Sequence, residues 1–533
     1  MALTNTARSS IYVFSGTFIS RVLGFVRILV LATTLGFFRL NDSYSLANEI
    51  PNMMYELILG SLISSTLLPF FVKQYKQKKQ NDDDSIFTFM LFSSTALTLL
   101  TLILAPVIAT VMTSLNNTGD TDAQRNLVLF FLYCFLPQIF FYAMTSVMQT
   151  YLAARHKFVA SAFVPIINNV IVISMLLYIR QVFSSISNDP STKEINKIKY
   201  ILGFGTTLGV IAIALLLAIA YKKIGGSFRR GKLRSGVIKE MLNQSKWMVA
   251  YAVANQLALF IIISFANRTE GGVSAYLAAW AFFQLPHGLL AMTIMTISTP
   301  KISHSIDHDE NNNAKISPNQ ITEKTKQLVQ QTSSTILIMT TMVSAIGIAI
   351  ARPAMKIVLA HGLISDSKAE LAANVLIGFL VFASAFSFYV FVVRLSNIVG
   401  RTKEIFYINV AQNIINVVLA FFLIKFSPVI GLSLAFSSSY FIVMPFALKL
   451  VSKNFAVQAL KMKAVIIIAL TSICAALIGF FVSNEVTNKY MGTFSGLLIS
   501  VIVLAIGAHF TRDYIIELVK VFYSKKSLEK IVE

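Results

Sequence analysis

Apolar stretches of roughly twenty residues recur along the chain from residue 10 to residue 511, parted by short polar segments. A helix rises about 1.5 Å per residue, so a run of roughly twenty covers the hydrocarbon core of a bilayer. Read this way, the pattern predicts about fourteen transmembrane helices. The first seven fall near 10–36, 45–72, 86–113, 127–153, 158–179, 200–221 and 241–266. The second seven fall near 274–299, 328–351, 371–393, 404–424, 428–448, 464–483 and 491–511. The expected fold class is an all-α polytopic membrane protein.

The polar segments orient it. An even number of spans puts both termini on one side. Placing them inside makes inner loops of "KQYKQKKQ" (73–80), "KKIGGSFRRGKLRSGVIK" (222–239) and the tail from Arg512. About 30 of the 45 lysines and arginines then lie inside and about 12 outside, the positive-inside bias. The segment "NDPSTKEINKIKY" (188–200), outside with three lysines, runs against the bias without reversing it. Two stretches, 50–74 and 285–303, each run from one proline to another before basic residues, which hints at parallel repeats. On that basis 1–225 forms one six-helix lobe, 226–455 a second, and 456–533 an appended helix pair with a short cytoplasmic tail.

Composition narrows the class. The 533 residues are 56% hydrophobic and 13% charged, about half the charge of a soluble domain. The net charge of +21 sits in loops between spans, so it argues for no nucleic-acid partner. Cys134 and Cys474 lie in apolar runs and imply no disulfide framework. The N-terminal run is too long for a cleavable signal and contains two arginines. No P-loop, GxSxG or HExxH motif is present, so nothing points to an ATPase, a hydrolase or a metal. The acidic runs "NDDD" (81–84) and "HSIDHDENNN" (304–313) read as solvated loops, and no cofactor is expected.

Candidate chemistry lies where charge interrupts the apolar runs. Arg21 and Arg27 sit deep in the first span, about 120° apart around a helix. Their two readings are carboxylate pairs that lock helix packing, or a site for an anionic head group, whose phosphate oxygens match the guanidinium fork. Asp42, Glu49 and Glu56 recur every seven residues on one helix face. Asp42 reads as a helix cap or a site residue; the two glutamates read as counter-charges to the arginines or as substrate contacts. Lys246, beside Trp247, is an interfacial anchor or a cation facing a cavity. Pro51 and Pro286, which interrupt backbone ladders, and Gly24 are candidate hinges.

"SRVLGFVR" (20–27), "IPNMMYELILGSL" (50–62), "ARHKFVASAFVPIINNV" (154–170) and "AWAFFQLPHGLL" (279–290) resemble the MurJ/MviN lipid II flippases. These belong to the multidrug/oligosaccharidyl-lipid/polysaccharide exporter superfamily, and the motifs look most like the actinobacterial branch. The resemblance implies two six-helix lobes, a C-terminal pair with a groove for a polyprenyl tail, and alternating access. It implies lipid II as substrate, membrane lipids and cell-wall synthesis or division proteins as partners, and the bacterial plasma membrane as location. Arg21, Arg27 and Asp42 match the family's positions. The better-known proteobacterial pattern has cavity arginines where this chain has Tyr55 and Ala281, and an acid–base pattern that here becomes Glu49, Gly60 and Gln284. Head-group binding would therefore recruit Tyr55, Gln284, Lys246 and Arg21 beside Arg27. The alternative is another exporter of this architecture, for polysaccharide-lipid or drugs.

Overall fold

Helices follow the apolar runs nearly span for span in the structure, a computed structural model. It describes residues 5–57, 71, 81–116, 121–183, 192–229, 231, 235–306 and 321–512. Among these the chain is helical throughout, with no strand. Among the described residues twelve helical segments are long and apolar enough to cross a membrane, and a bent pair makes thirteen. Each corresponds to an expected span. The remaining one, expected at 45–72, is described as the helix Arg39–Leu57 and at Phe71, and the stretch 58–70 lies outside the described residues. Most of the possible repeat at 50–74, Gly60, and residues 307–313 of the acidic run at 304–313 lie outside them too.

Three departures from the expected pattern have local causes. The second span opens at Arg39, earlier than expected, because Asn41, Asp42, Ser43 and Ser45 are buried within protein. The acidic run 81–84 is helical and opens Asn81–Thr113, where a carboxylate such as that of Asp84 suits the positive end of the helix dipole. The tenth span is two helices, Asp366–Leu380 and Ala383–Ile398, bent by 53°. Phe382 leaves helical dihedrals at the break (φ −125°, ψ 32°), and its ring stacks on Phe441 at 4.5 Å.

The chain divides into two compact units, Met1–Ser274 with His361–Ile364, and Ala275–Ala360 with Ser365–Glu533. In the first unit, α1 (Asn5–Leu35) packs along the helix Phe158–Val182, where Asn169 Nδ2 donates to the Ser20 carbonyl at 3.1 Å. Gly36, at φ +67°, ends α1 in the left-handed conformation that glycine adopts without strain. The turn is held by Asn41 Nδ2, which donates to the Gly36 carbonyl at 2.7 Å. Next, α2 (Arg39–Leu57) lies against Thr121–Phe135 and Gln138–Ala154. Tyr44 meets Phe131 and Phe135 edge-on, and its hydroxyl bonds Thr206 Oγ1 at 2.9 Å.

In the second unit, Glu323–Leu359 packs against the C-terminal pair Met462–Glu485 and Lys489–Phe510. The contact is close because small residues line it. A Cβ at Gly496 would stand 2.7 Å from Ser483 Cβ, and Ser483 Oγ donates to the Ala349 carbonyl at 2.6 Å. The eighth span, Gly272–Pro286 and Met292–His304, holds a π turn at His287–Ala291 directly after Pro286. A proline removes one rung of the ladder, and the wider turn re-routes the backbone there.

Apolar side chains are exposed in stripes. Leu99, Ile103, Val107 and Val111 recur on one face of Asn81–Thr113, with Ile103 75% exposed. In water such a face would be an interaction liability; in hydrocarbon it is the solvated surface.

Candidate functional site

The first unit brings charge and hydroxyls together near the middle of α1 and α2. Arg27, on α1, is half-buried. Its guanidinium charge acts on Glu49 of α2, on Tyr44, and on Tyr142 of Gln138–Ala154. Asn52, one turn beyond Glu49, is within hydrogen-bonding reach of the Glu49 carboxylate. The Tyr142 hydroxyl donates to Asn52 Oδ1 over a long 3.5 Å. Tyr55 lays its ring against that of Tyr142, centroids 4.8 Å apart. Glu56 is exposed beside it, and its charge acts on the Tyr55 phenol.

The fold dictates this grouping. Glu49, Asn52 and Glu56 lie three, four and seven apart on α2, so they share a face. Pro51 is buried within the same helix and leaves the Ala47 carbonyl without its usual rung.

Arg27 is electrostatically linked to Glu49 but not locked to it. Among the described residues, ion pairs form elsewhere, as at Arg125–Asp122 (2.8 Å), Lys356–Glu370 (3.1 Å) and Arg401–Glu404 (2.9 Å). No ion pair or hydrogen bond among them occupies the Arg27 guanidinium. An arginine at membrane depth facing lipid costs about 2.5–3.5 kcal/mol even on the lenient scale, so such a group faces water or a ligand. The cluster can therefore offer a planar cationic fork, a carboxylate that poises it, and phenol and amide groups able to bond polar oxygens.

The other sequence candidates separate from this group. Arg21, six residues before Arg27, is exposed on a different side of α1. Asp42 is buried at the end of the Gly272–Pro286 helix, inside the first unit. Its oxygens accept from Gly271 N (2.6 Å), Ser274 N (2.9 Å) and Ser274 Oγ (2.6 Å), so it satisfies amides that a helix start leaves open. Lys246 is exposed near the start of the seventh span. Gln284 and Pro286 belong to the second unit, where Gln284 is half-buried. A Cβ at Gly24 would meet only Asn169 Nδ2, at 3.7 Å, so packing does not demand glycine there.

A family model described as lipid II flippase MurJ matches residues 31–503. The chain belongs to that family. It is 24% identical over 328 residues to the probable lipid II flippase MurJ of Rhizobium meliloti (strain 1021), covering 60% of this chain and 59% of that one. It is also 24% identical over 319 residues to the lipid II flippase MurJ of Burkholderia cenocepacia, covering 57% and 58%. The chain thus aligns with little more than half the length of the curated relatives it matches. In fold it is similar to a solved lipid II flippase MurJ in an inward closed conformation, with TM-score 0.76, 20% identity, and 95% and 100% of the chains covered. A multidrug resistance MATE family transporter of the MOP superfamily follows at TM-score 0.61, 13% identity and 80% and 92% coverage.

Within this MurJ-family chain, two members of the cluster were not legible beforehand. Tyr142 is one aromatic in an aromatic-rich run, and Asn52 follows a proline that draws the eye first. Arg394 was also missed. It is a half-buried arginine just past the expected end of the tenth span at 393, inside the helix Ala383–Ile398, its Nη2 3.4 Å from Met292 Sδ.

Proposed function

We propose that this multi-pass membrane protein of the MurJ family moves lipid II from the inner to the outer leaflet by alternating access, as a transporter and not an enzyme. The observation that carries the reading is the Arg27 guanidinium, which has a carboxylate in its field and no partner among the described residues. A pyrophosphate–disaccharide–peptide head cannot shed its water into hydrocarbon without a large penalty. A guanidinium fork replaces that water with two parallel charge-assisted bonds to phosphate oxygens. Tyr55, Asn52 and Tyr142 extend the polar lining, and the polyprenyl tail stays in lipid beside the C-terminal helix pair.

In this reading both termini are cytoplasmic, 1–225 and 226–455 act as the two lobes, and 456–533 is the appended pair. Arg21 guides the head group toward Arg27, Lys246 and Gln284 contact it later, and Gly24, Pro51 and Pro286 flex. Partners in cell-wall synthesis or division fit the same role. An exporter of cationic drugs fits less well, since an uncommitted guanidinium repels cations. The deciding experiment follows lipid II head-group accessibility in proteoliposomes, against other polyprenyl-linked sugars. Protein-dependent exposure selective for lipid II is expected; equal movement of all the lipids, or of none, refutes the proposal.

A further inference from the structure

The second unit contains an aromatic assembly that the Arg27 cluster does not use. Trp280 is half-buried, and its ring lies 5.1 Å from Phe283, 5.4 Å from Phe379, 6.2 Å from Phe386 and 5.2 Å from Phe436. Those neighbours come from the eighth, tenth and twelfth spans, so the indole is braced from several sides. Gln284 lies one turn further along the same helix face and is also half-buried. Among the described residues neither the Gln284 amide nor the Trp280 indole N–H has a hydrogen-bond partner, and neither is sealed from the surface. An amide facing hydrocarbon without a partner costs several kcal/mol. An unpaired amide is far better accommodated by water or a polar ligand than by acyl chains, and the half-buried Gln284 leaves that need open.

A rigid aromatic ring with a part-exposed surface, an indole N–H beside it and an amide one turn away suit a sugar ring. The apolar C–H face of a pyranose lies on the indole, while its hydroxyl and acetamido groups take the N–H and the amide. We infer that Trp280 and Gln284 form a sugar platform that holds the amino-sugar part of the transported head group. This rests on the lipid II reading and deepens it by naming the part of the head group that the second unit holds.

The chain has two tryptophans, Trp247 and Trp280, so Trp247→Phe leaves Trp280 as the sole reporter. The purified full chain with this change is titrated with a tail-less pyrophosphoryl disaccharide–peptide and, separately, with inorganic pyrophosphate. Saturable change in Trp280 emission with the glycosylated probe alone is expected. Gln284→Leu should weaken that binding about tenfold, the equivalent of about 1.4 kcal/mol. In the flipping assay Trp280→Ala should slow lipid II transport, and Trp280→Phe, which keeps a ring but loses the N–H, should slow it less. If wild-type protein flips lipid II but the Trp280 emission does not respond, or responds equally to pyrophosphate, the platform is refuted and the flippase reading stands. If wild-type protein flips no lipid II, the underlying reading fails and the platform falls with it. Should Trp280→Ala not reach the membrane, the titration and the Gln284→Leu variant still decide.

Discussion

Arg27→Ala separates a binding role from a packing role because of what Arg27 does not touch. Since no hydrogen bond or ion pair among the described residues is spent on its guanidinium, the substitution breaks none, and it removes only the positive charge in the field of Glu49. Glu49 keeps Asn52 within reach. Stability and membrane abundance should therefore change little. Transport should change greatly. Hydrogen bonds to charged groups contribute about 1.5–3 kcal/mol each. A two-pronged contact with pyrophosphate, discounted for non-additivity, is then worth about 3 kcal/mol, or about a hundredfold in affinity. Arg27→Lys keeps the charge and loses the fork, so about a tenfold loss is expected. The assay is initial flipping rate in proteoliposomes against lipid II concentration, with protein content measured in the same vesicles. An alanine variant that transports at the wild-type rate refutes the assignment. So does a loss of rate that merely tracks a loss of inserted protein, since that marks the arginine as structural.

Asp42→Ala removes the acceptor of three short hydrogen bonds and leaves the Gly271 and Ser274 amides open. It should lower thermal stability in detergent by about 2–4 kcal/mol, from a cost of about 1–3 kcal/mol per buried orphan, and unchanged melting would contradict the bonded role. Gly36→Ala should reduce folded yield, because φ is +67° and its Cβ would stand 3.1 Å from Leu363 Cβ, whereas Gly24→Ala, in open contact, should not. A Gly24→Ala protein that inserts normally but stops transporting would instead identify a hinge. Cysteine tags in 222–239 should be protected from impermeant reagents applied to whole cells and tags in 354–368 labelled; labelling of 222–239 would reverse the proposed orientation.

Helical spans were legible because the rule behind them is one-dimensional. Hydrocarbon offers the backbone no hydrogen bonds, so each apolar run of sufficient length closes its own ladder. What happens at its ends and breaks depends on neighbours. Asn41 and Ser43 lay ahead of the expected span at 45–72 and Asp42 was read as its cap, yet with Ser45 they proved to be buried helix, since partners such as the Gly271 and Ser274 amides lie more than two hundred residues away from Asp42. The bend at Phe382 has neither proline nor glycine to announce it; the ring of Phe441 lies in another span. Pro286, read as a candidate hinge, is followed directly by a π turn, and the missing N–H behind it is a property of the residue itself.

The same distinction governs the site. Arg27 and Glu49 could be picked from the chain because a charge in an apolar run needs a reason wherever the helices pack. Their relationship could not, since a seven-residue spacing along α2 fixes which carboxylates share a face and says nothing about which of them faces α1. Packing chose Glu49, tied it to Asn52, and gave Asp42 to the start of another helix. The Tyr55 ring rests on that of Tyr142, so the residues grouped around Arg27 and Glu49 are largely neutral hydrogen-bonding groups. In the proposed reading grip depends on the Arg27 guanidinium, which no hydrogen bond or ion pair among the described residues occupies, so Arg27 is the position at which transport should be least tolerant of change.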